Sequence, residues 1–152
     1  MNFAADLRTP RIVQEGRNKR PVATVAQGMT DRPVLEPTEA HPITVEPTGK
    51  HVVVRVNGEV VADTNDALTL QEATYPAVQY IPLADVVADR LRPSDTETYC
   101  PFKGDATYYH VVTAAGDTVE DAIWTYPEPY SAVAQIAGHI AFYPDKADVA
   151  VA

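Results

Sequence analysis

A chain of 152 residues, 45% of them hydrophobic, can bury one core without disulfide or metal staples and is too short for two ordinary domains. Its formal net charge of −9 is unevenly spread: residues 1–40 carry six basic and five acidic side chains, residues 41–152 six and sixteen. A body of that sign repels phosphate backbones, which argues against nucleic acid as a partner. No apolar run is long enough to cross a bilayer or follows a basic start as a leader would, so no membrane association and no export are expected.

The single cysteine, Cys100, cannot close an internal disulfide or supply the paired thiolates of a structural zinc site. A reducing compartment, the cytoplasm, is therefore expected, with no metal or other cofactor. Residues 1–40 read as a Pro-rich arm: Pro10, Pro21, Pro33 and Pro37 recur there, Pro42 and Pro47 follow, and no apolar period is sustained. Arg8, Arg11, Arg17, Lys19 and Arg20 form a loose basic cluster in it, read as a solvated tail rather than a docking site.

Residues 41–152 are expected to form a single mainly-β domain. Residues 52–56 and 59–62 flank Asn57–Gly58, the dipeptide that supplies both positive-φ residues of a hairpin turn. Further strand-like runs lie at 68–71, 78–81, 106–112, 119–126 and 139–143. Two short helices are predicted at 83–87, after Pro82, and at 131–136, where Ser131 is placed to cap and Gly138 to terminate. With no connection long enough for a crossover helix, the sheets are expected to be antiparallel.

The text from His41–Pro42–Ile43–Thr44 onward carries a recognisable order of motifs. Val54–Arg55–Val56–Asn57–Gly58–Glu59 leads to Glu72 with Tyr75–Pro76 and then to Tyr80–Ile81–Pro82. Cys100–Pro101–Phe102–Lys103–Gly104–Asp105 follows, with Trp124–Thr125–Tyr126–Pro127 and Ala141–Phe142–Tyr143 beyond it. Together these resemble the bacterial family catalogued as domain of unknown function 427, labelled nucleotidyltransferase-like, over about residues 41–148. The resemblance implies two packed antiparallel sheets of the β-tent kind. Other members of that group hold zinc through two cysteine pairs, which this chain lacks. The label finds no support in the residues: nucleotidyl transfer needs a Gly-Ser loop and an Asp-x-Asp pair for magnesium, whereas Asp63 and Asp66 are spaced Asp-x-x-Asp beside a hairpin.

Cys100, Lys103 and Glu72 are the residues most able to carry chemistry. A cation at Lys103 over the Cys100 sulfur would favour the nucleophilic thiolate, and Pro101 biases Cys100 toward extended backbone. Gly104 would admit a ligand or backbone at close range. The plain alternative is a small buried hydrophobe, a solvated charge and a turn. Glu72, where the resemblance also places a glutamate, reads as a general base or a ligand contact. The histidines, His41, His51, His110 and His139, show no ligand spacing; a site built from His110, His139 and Cys100 would have to be assembled by the fold alone.

Eight tyrosines against three phenylalanines suit a half-wet pocket wall, because buried phenols need hydrogen-bond partners. Tyr80, Tyr108 and Trp124, which lie in the matched motifs, are the expected ligand-binding aromatics. Three readings follow. The first is a small-molecule-binding domain whose aromatic pocket has Cys100, Lys103 and Glu72 at its rim. The second is a metal-independent enzyme using Cys100 or Lys103 with Glu72 in transfer or hydrolysis, and the third a protein-interaction module in which an exposed strand edge or the arm recruits a partner chain, a homodimer being one partnership expected.

Overall fold

In the computed structural model, which describes residues 32–152, ten strands build two antiparallel sheets. In chain order they are β1 (Ile43–Pro47), β2 (Val52–Val56), β3 (Glu59–Thr64), β4 (Leu68–Glu72), β5 (Val78–Pro82), β6 (Leu91–Cys100), β7 (Gly104–Val112), β8 (Thr118–Thr125), β9 (His139–Phe142) and β10 (Asp148–Val151). Seven lie in the order β1-β4-β5-β9-β8-β7-β6, and β10-β2-β3 form the second sheet. Among the described residues no helix is long and apolar enough to cross a membrane. The basic cluster at 8–20 lies outside the described residues; 32–40, also assigned to the arm, contain neither helix nor strand.

Asn57 and Gly58 take φ of 51° and 83° and turn β2 into β3, as the dipeptide predicts. A register shift on this hairpin leaves Val61 unpaired, so that Val61 and Ala62 are buried in succession where strict alternation would expose one of them. Three strands escape the sequence patterns. β1 and β6 are the outer strands of the large sheet and β10 an outer strand of the small one. With one neighbour each, such strands tolerate polar residues and even Pro93, which sits in β6 beside a bulge.

The expected helix at 83–87 is replaced by 3₁₀ turns at Leu83–Asp85 and Ala88–Arg90. β3 draws the intervening residues into extended form: Val86 bridges Ala62, and the Val87 N–H donates to the Val61 carbonyl at 2.8 Å. Two β-branched residues have little helical preference to oppose this. The segment Ser131–Ile136 is likewise 3₁₀, kinked at Val133 (φ −128°), and no side chain caps it. A six-residue segment cannot repay the cost of helix nucleation.

Alternation along the strands of the large sheet sends side chains into two cores. Ile81, Ile123, Ile140 and Phe142 face the small sheet and pack with Val52, Val54, Val56 and Val61. On the opposite face Leu70, Tyr80, Ala106, Tyr126 and Ala141 pack with Val133 and Ile136 of the 3₁₀ segment. The period of two thus separates Tyr80 from Ile81 and Ala141 from Phe142. The second core, the more aromatic of the two, holds the site.

The hairpin turn offers a clean test of backbone conformation, because a Cβ at Gly58 would meet nothing within 4 Å. Gly58→Ala is therefore expected to lower stability by about 1–2 kcal/mol through its positive φ alone, measured by chemical denaturation. An unchanged midpoint would mean that the turn relaxes freely.

Candidate functional site

Cross-strand pairing assembles the site wall. Leu70 stands opposite Val78 and Tyr108 opposite Trp124, while Glu72, Tyr80 and Tyr126 follow at two-residue steps on the same face. With Tyr75, Tyr143 and Lys103 they enclose a cavity of about 180 Å³. The rings brace one another. The indole of Trp124 lies 4.5 Å from Tyr143, centroid to centroid, and donates its N–H to the Tyr80 hydroxyl at 3.0 Å. The hydroxyls of Tyr143 and Tyr108 are 3.4 Å apart, and Tyr108 is bonded to Thr98 at 2.8 Å.

Three charged or chargeable groups meet at the polar end. Lys103, only 6% exposed, donates from Nζ to Glu72 Oε1 at 2.5 Å, and His41 Nε2 lies 2.8 Å from Glu72 Oε2. Both carboxylate oxygens are thereby engaged. Burial works against the charge on Glu72, but the hydrogen bonds from Lys103 and His41 outweigh it and hold the carboxyl below its ordinary 4.5. Lys103 Nζ also stands 3.8 Å from Cys100 Sγ. His41 is fixed from behind by Phe102, stacked on it at 4.3 Å with planes 5° apart.

Local backbone explains these positions. β1 against β4 sets Ile43 opposite Glu72, which brings His41 to a carboxylate 31 residues away in sequence. Cys100 to Gly104 is a tight turn closed by the Lys103 N–H on the Cys100 carbonyl, and the Tyr130 N–H donates to the Lys103 carbonyl at 3.0 Å. Ala73, next to Glu72, has φ +47°, a conformation costly for a residue with a Cβ; its N–H is tied to the Pro42 carbonyl at 2.8 Å.

One polar group stands apart. The Tyr126 side chain lines the cavity and the residue is 8% exposed, yet its hydroxyl has no hydrogen-bond partner among the described residues. Burial pushes the phenol of Tyr126 well above its usual range, with the charges and phenols around it adding to the effect. Tyr80 is pushed the same way, chiefly by burial. Both remain protonated at neutral pH and keep an O–H to donate.

Of the residues singled out from sequence, Tyr80, Tyr108, Trp124, Glu72 and Lys103 line the cavity. Cys100 is half-buried behind Lys103, packed against the aromatic core rather than on the wall. Gly104 does admit a close approach, but by the chain itself: its φ is +111°, and a Cβ there would meet the Glu128 carbonyl at 3.4 Å and the Tyr130 ring at 3.9 Å. His110 accepts from the Asp121 N–H, and His139 Nδ1 sits 3.0 Å from the Ala137 carbonyl, so neither joins Cys100. Among the described residues no three His, Cys, Asp or Glu side chains converge as metal ligands would. Tyr75, Tyr126, Tyr143 and His41 were not singled out; the two-residue step from Trp124 was the available signal for Tyr126.

The polar trio should show in acid. Because the folded-state carboxyl of Glu72 titrates below its unfolded value, its contribution is present above pH 4.5 and is lost as pH falls through the lower folded value. Glu72→Gln is expected to cost about 2 kcal/mol at pH 7. The melting-temperature gap to wild type should close as the pH falls below 4.5; a gap constant between pH 7 and pH 3 would rule the trio out as an ionic unit.

Comparison with curated proteins finds no match. The profile of a family described as "Domain of unknown function (DUF427)" matches residues 44–152. That span includes the cavity wall, Glu72, Cys100 and Lys103 and leaves out His41. The chain belongs to this family of domains of unknown function.

Proposed function

We propose that the cavity binds a small molecule, one planar ring bearing a hydrogen-bond acceptor, and that the domain is a binding module for it. The observation that carries this reading is the Tyr126 hydroxyl, buried on the cavity wall without a partner among the described residues. Buried phenols are ordinarily bonded, and an orphan in a pocket calls for a ligand or a water. The Tyr80 O–H and the third N–H of Lys103 supply further donors, so the donor set suits carbonyl or carboxylate oxygens. An apolar cavity of about 150 Å³ holds benzene, so the present volume suits one substituted ring. Aromatic walls supply its stacking surface. The lone thiol fits a reducing compartment, and we place this role in the cytoplasm.

Tyr126→Phe separates a ligand-facing hydroxyl from a structural one. Without ligand it is expected to leave stability unchanged or raise it by up to about 1 kcal/mol, since no bond is lost. Tyr80→Phe, which removes the Trp124 bond, is expected to cost about 1 kcal/mol. Methyl 4-hydroxybenzoate, a single ring with an ester carbonyl, serves as probe in calorimetric titration. Tyr126→Phe should weaken its binding about fivefold to tenfold and Lys103→Met should abolish it. Apo-protein losses equal in the two tyrosine variants would overturn the assignment of Tyr126.

A second reading, metal-independent catalysis, draws on the contact between Lys103 Nζ and Cys100 Sγ at 3.8 Å. The Lys103 ammonium, anchored by Glu72 and through it by His41, would then stabilise a Cys100 thiolate as the nucleophile. Iodoacetamide alkylation of the native protein tests it: Lys103→Ala should slow the reaction about tenfold if the ammonium sustains a thiolate. An equal rate in both proteins removes this reading.

A further inference from the structure

β5 and β9 pair over only two residues each, Ile81 with Ile140 and Pro82 with His139. Beyond that point the strands are no longer paired, and a groove of about 580 Å³ lies there, walled by Val78 and Gln79 on one side and by Trp124, Phe142, Val149 and Val151 on the other. No charged side chain lines it. Gln79, the one amide in the wall, is held elsewhere: its Oε1 accepts from Thr48 at 2.6 Å and its Nε2 donates to Thr69 at 3.1 Å. The indole N–H of Trp124 is committed to Tyr80.

The groove and the cavity share a wall. Tyr75, Pro76, Val78 and Trp124 line both, so the two spaces meet across these four residues. Their chemistry differs: one end carries Lys103 and Glu72, the other no charged side chain. Tyr75 is 58% exposed and Val151 44%, and these large apolar residues stand on the groove uncovered. Exposed apolar surface gathered in a concave site marks a place where something apolar binds.

We propose that the groove holds the apolar body of the same small molecule whose polar ring occupies the cavity, which makes the ligand class amphipathic: an acceptor-bearing ring with a hydrocarbon extension. This rests on the binding reading above and narrows it. The extension enters past Trp124, which stands between ring and chain and contacts both. The groove's walls, apolar but for Gln79 and the Tyr75 hydroxyl, suit a hydrocarbon. The volume also lies within the range of small-ligand sites.

Titration of the full chain with methyl, propyl and hexyl 4-hydroxybenzoate tests the proposal. The dissociation constant is expected to fall roughly threefold per added methylene as each leaves water. Val151→Asp and Ala77→Asp, both at exposed positions lining the groove, should abolish that dependence and leave the methyl ester's affinity unchanged. A methyl ester that binds in a Lys103-dependent way, with no gain from longer chains, would overturn the groove assignment and leave the cavity reading standing. So would a gain that survives both aspartates, or a groove filled by a peptide segment or a second copy in solution. If no ester binds, both readings fall.

Discussion

The large sheet has apolar matter on both faces, and the rest of the structure follows from that constraint. A strand with one solvated face needs only alternation of apolar and polar residues. A central strand covered on both sides must be apolar at every position, or must satisfy each polar group it buries. β8 and β9 meet the demand with Ile123 beside Trp124 and Phe142 beside Ala141, one of each pair in each core. The first face is closed by the small sheet. The second has only the short 3₁₀ segment over part of its area, which leaves uncovered the region where Tyr80, Tyr108, Trp124 and Tyr126 converge. The cavity is the portion of this face that no element among the described residues covers.

Lys103 illustrates what such a place costs. An ammonium 6% exposed is tolerable only with a partner, and the partner here is a carboxylate that also accepts from His41. Replacement by apolar residues of equal volume would often be neutral or stabilising for a buried pair, so stability does not explain why a charge sits on this wall. The strain at Ala73 points the same way: a left-handed backbone beside Glu72 carries an energetic cost in the very turn that forms the cavity's rim. Two unfavourable local features adjoining one cavity are more naturally attributed to a site than to packing.

What could be read from the sequence divides along the range of the interactions. Asn57–Gly58 sets its own turn, and the apolar runs of β2, β4, β5, β7, β8 and β9 carry their identity locally, so these elements were legible. β6 was not, because its polar, proline-containing text becomes a strand only by pairing with β7. Val86 and Val87 look like part of a helix until β3 supplies the edge that extends them. The site shows the same division. Lys103 and Glu72 were visible as residue types in motifs, but their union across 31 residues, and that of His41 with Glu72 across another 31, depends on the folded sheet. Tyr126 was counted among many tyrosines; that its hydroxyl is buried on the cavity wall with no partner among the described residues is a property of the packing.

The short β5–β9 ladder connects these observations. Had those strands paired along their full length, Gln79 would lie opposite Phe142 and Val78 opposite Tyr143, and the groove between them would not exist. The ring cluster would then end at Trp124 as an enclosed core. The ladder stops instead at Ile81 and Ile140, while the two strands run on to Val78 and Phe142 without pairing each other. Pro144 follows directly after β9 and the Tyr143 ring that packs on Trp124. The unpaired stretch leaves Trp124 lining both the polar cavity and the apolar groove. On the binding reading proposed above, one indole between a charged end and a wholly uncharged one would select ligands by shape and polarity together, which neither space alone can do.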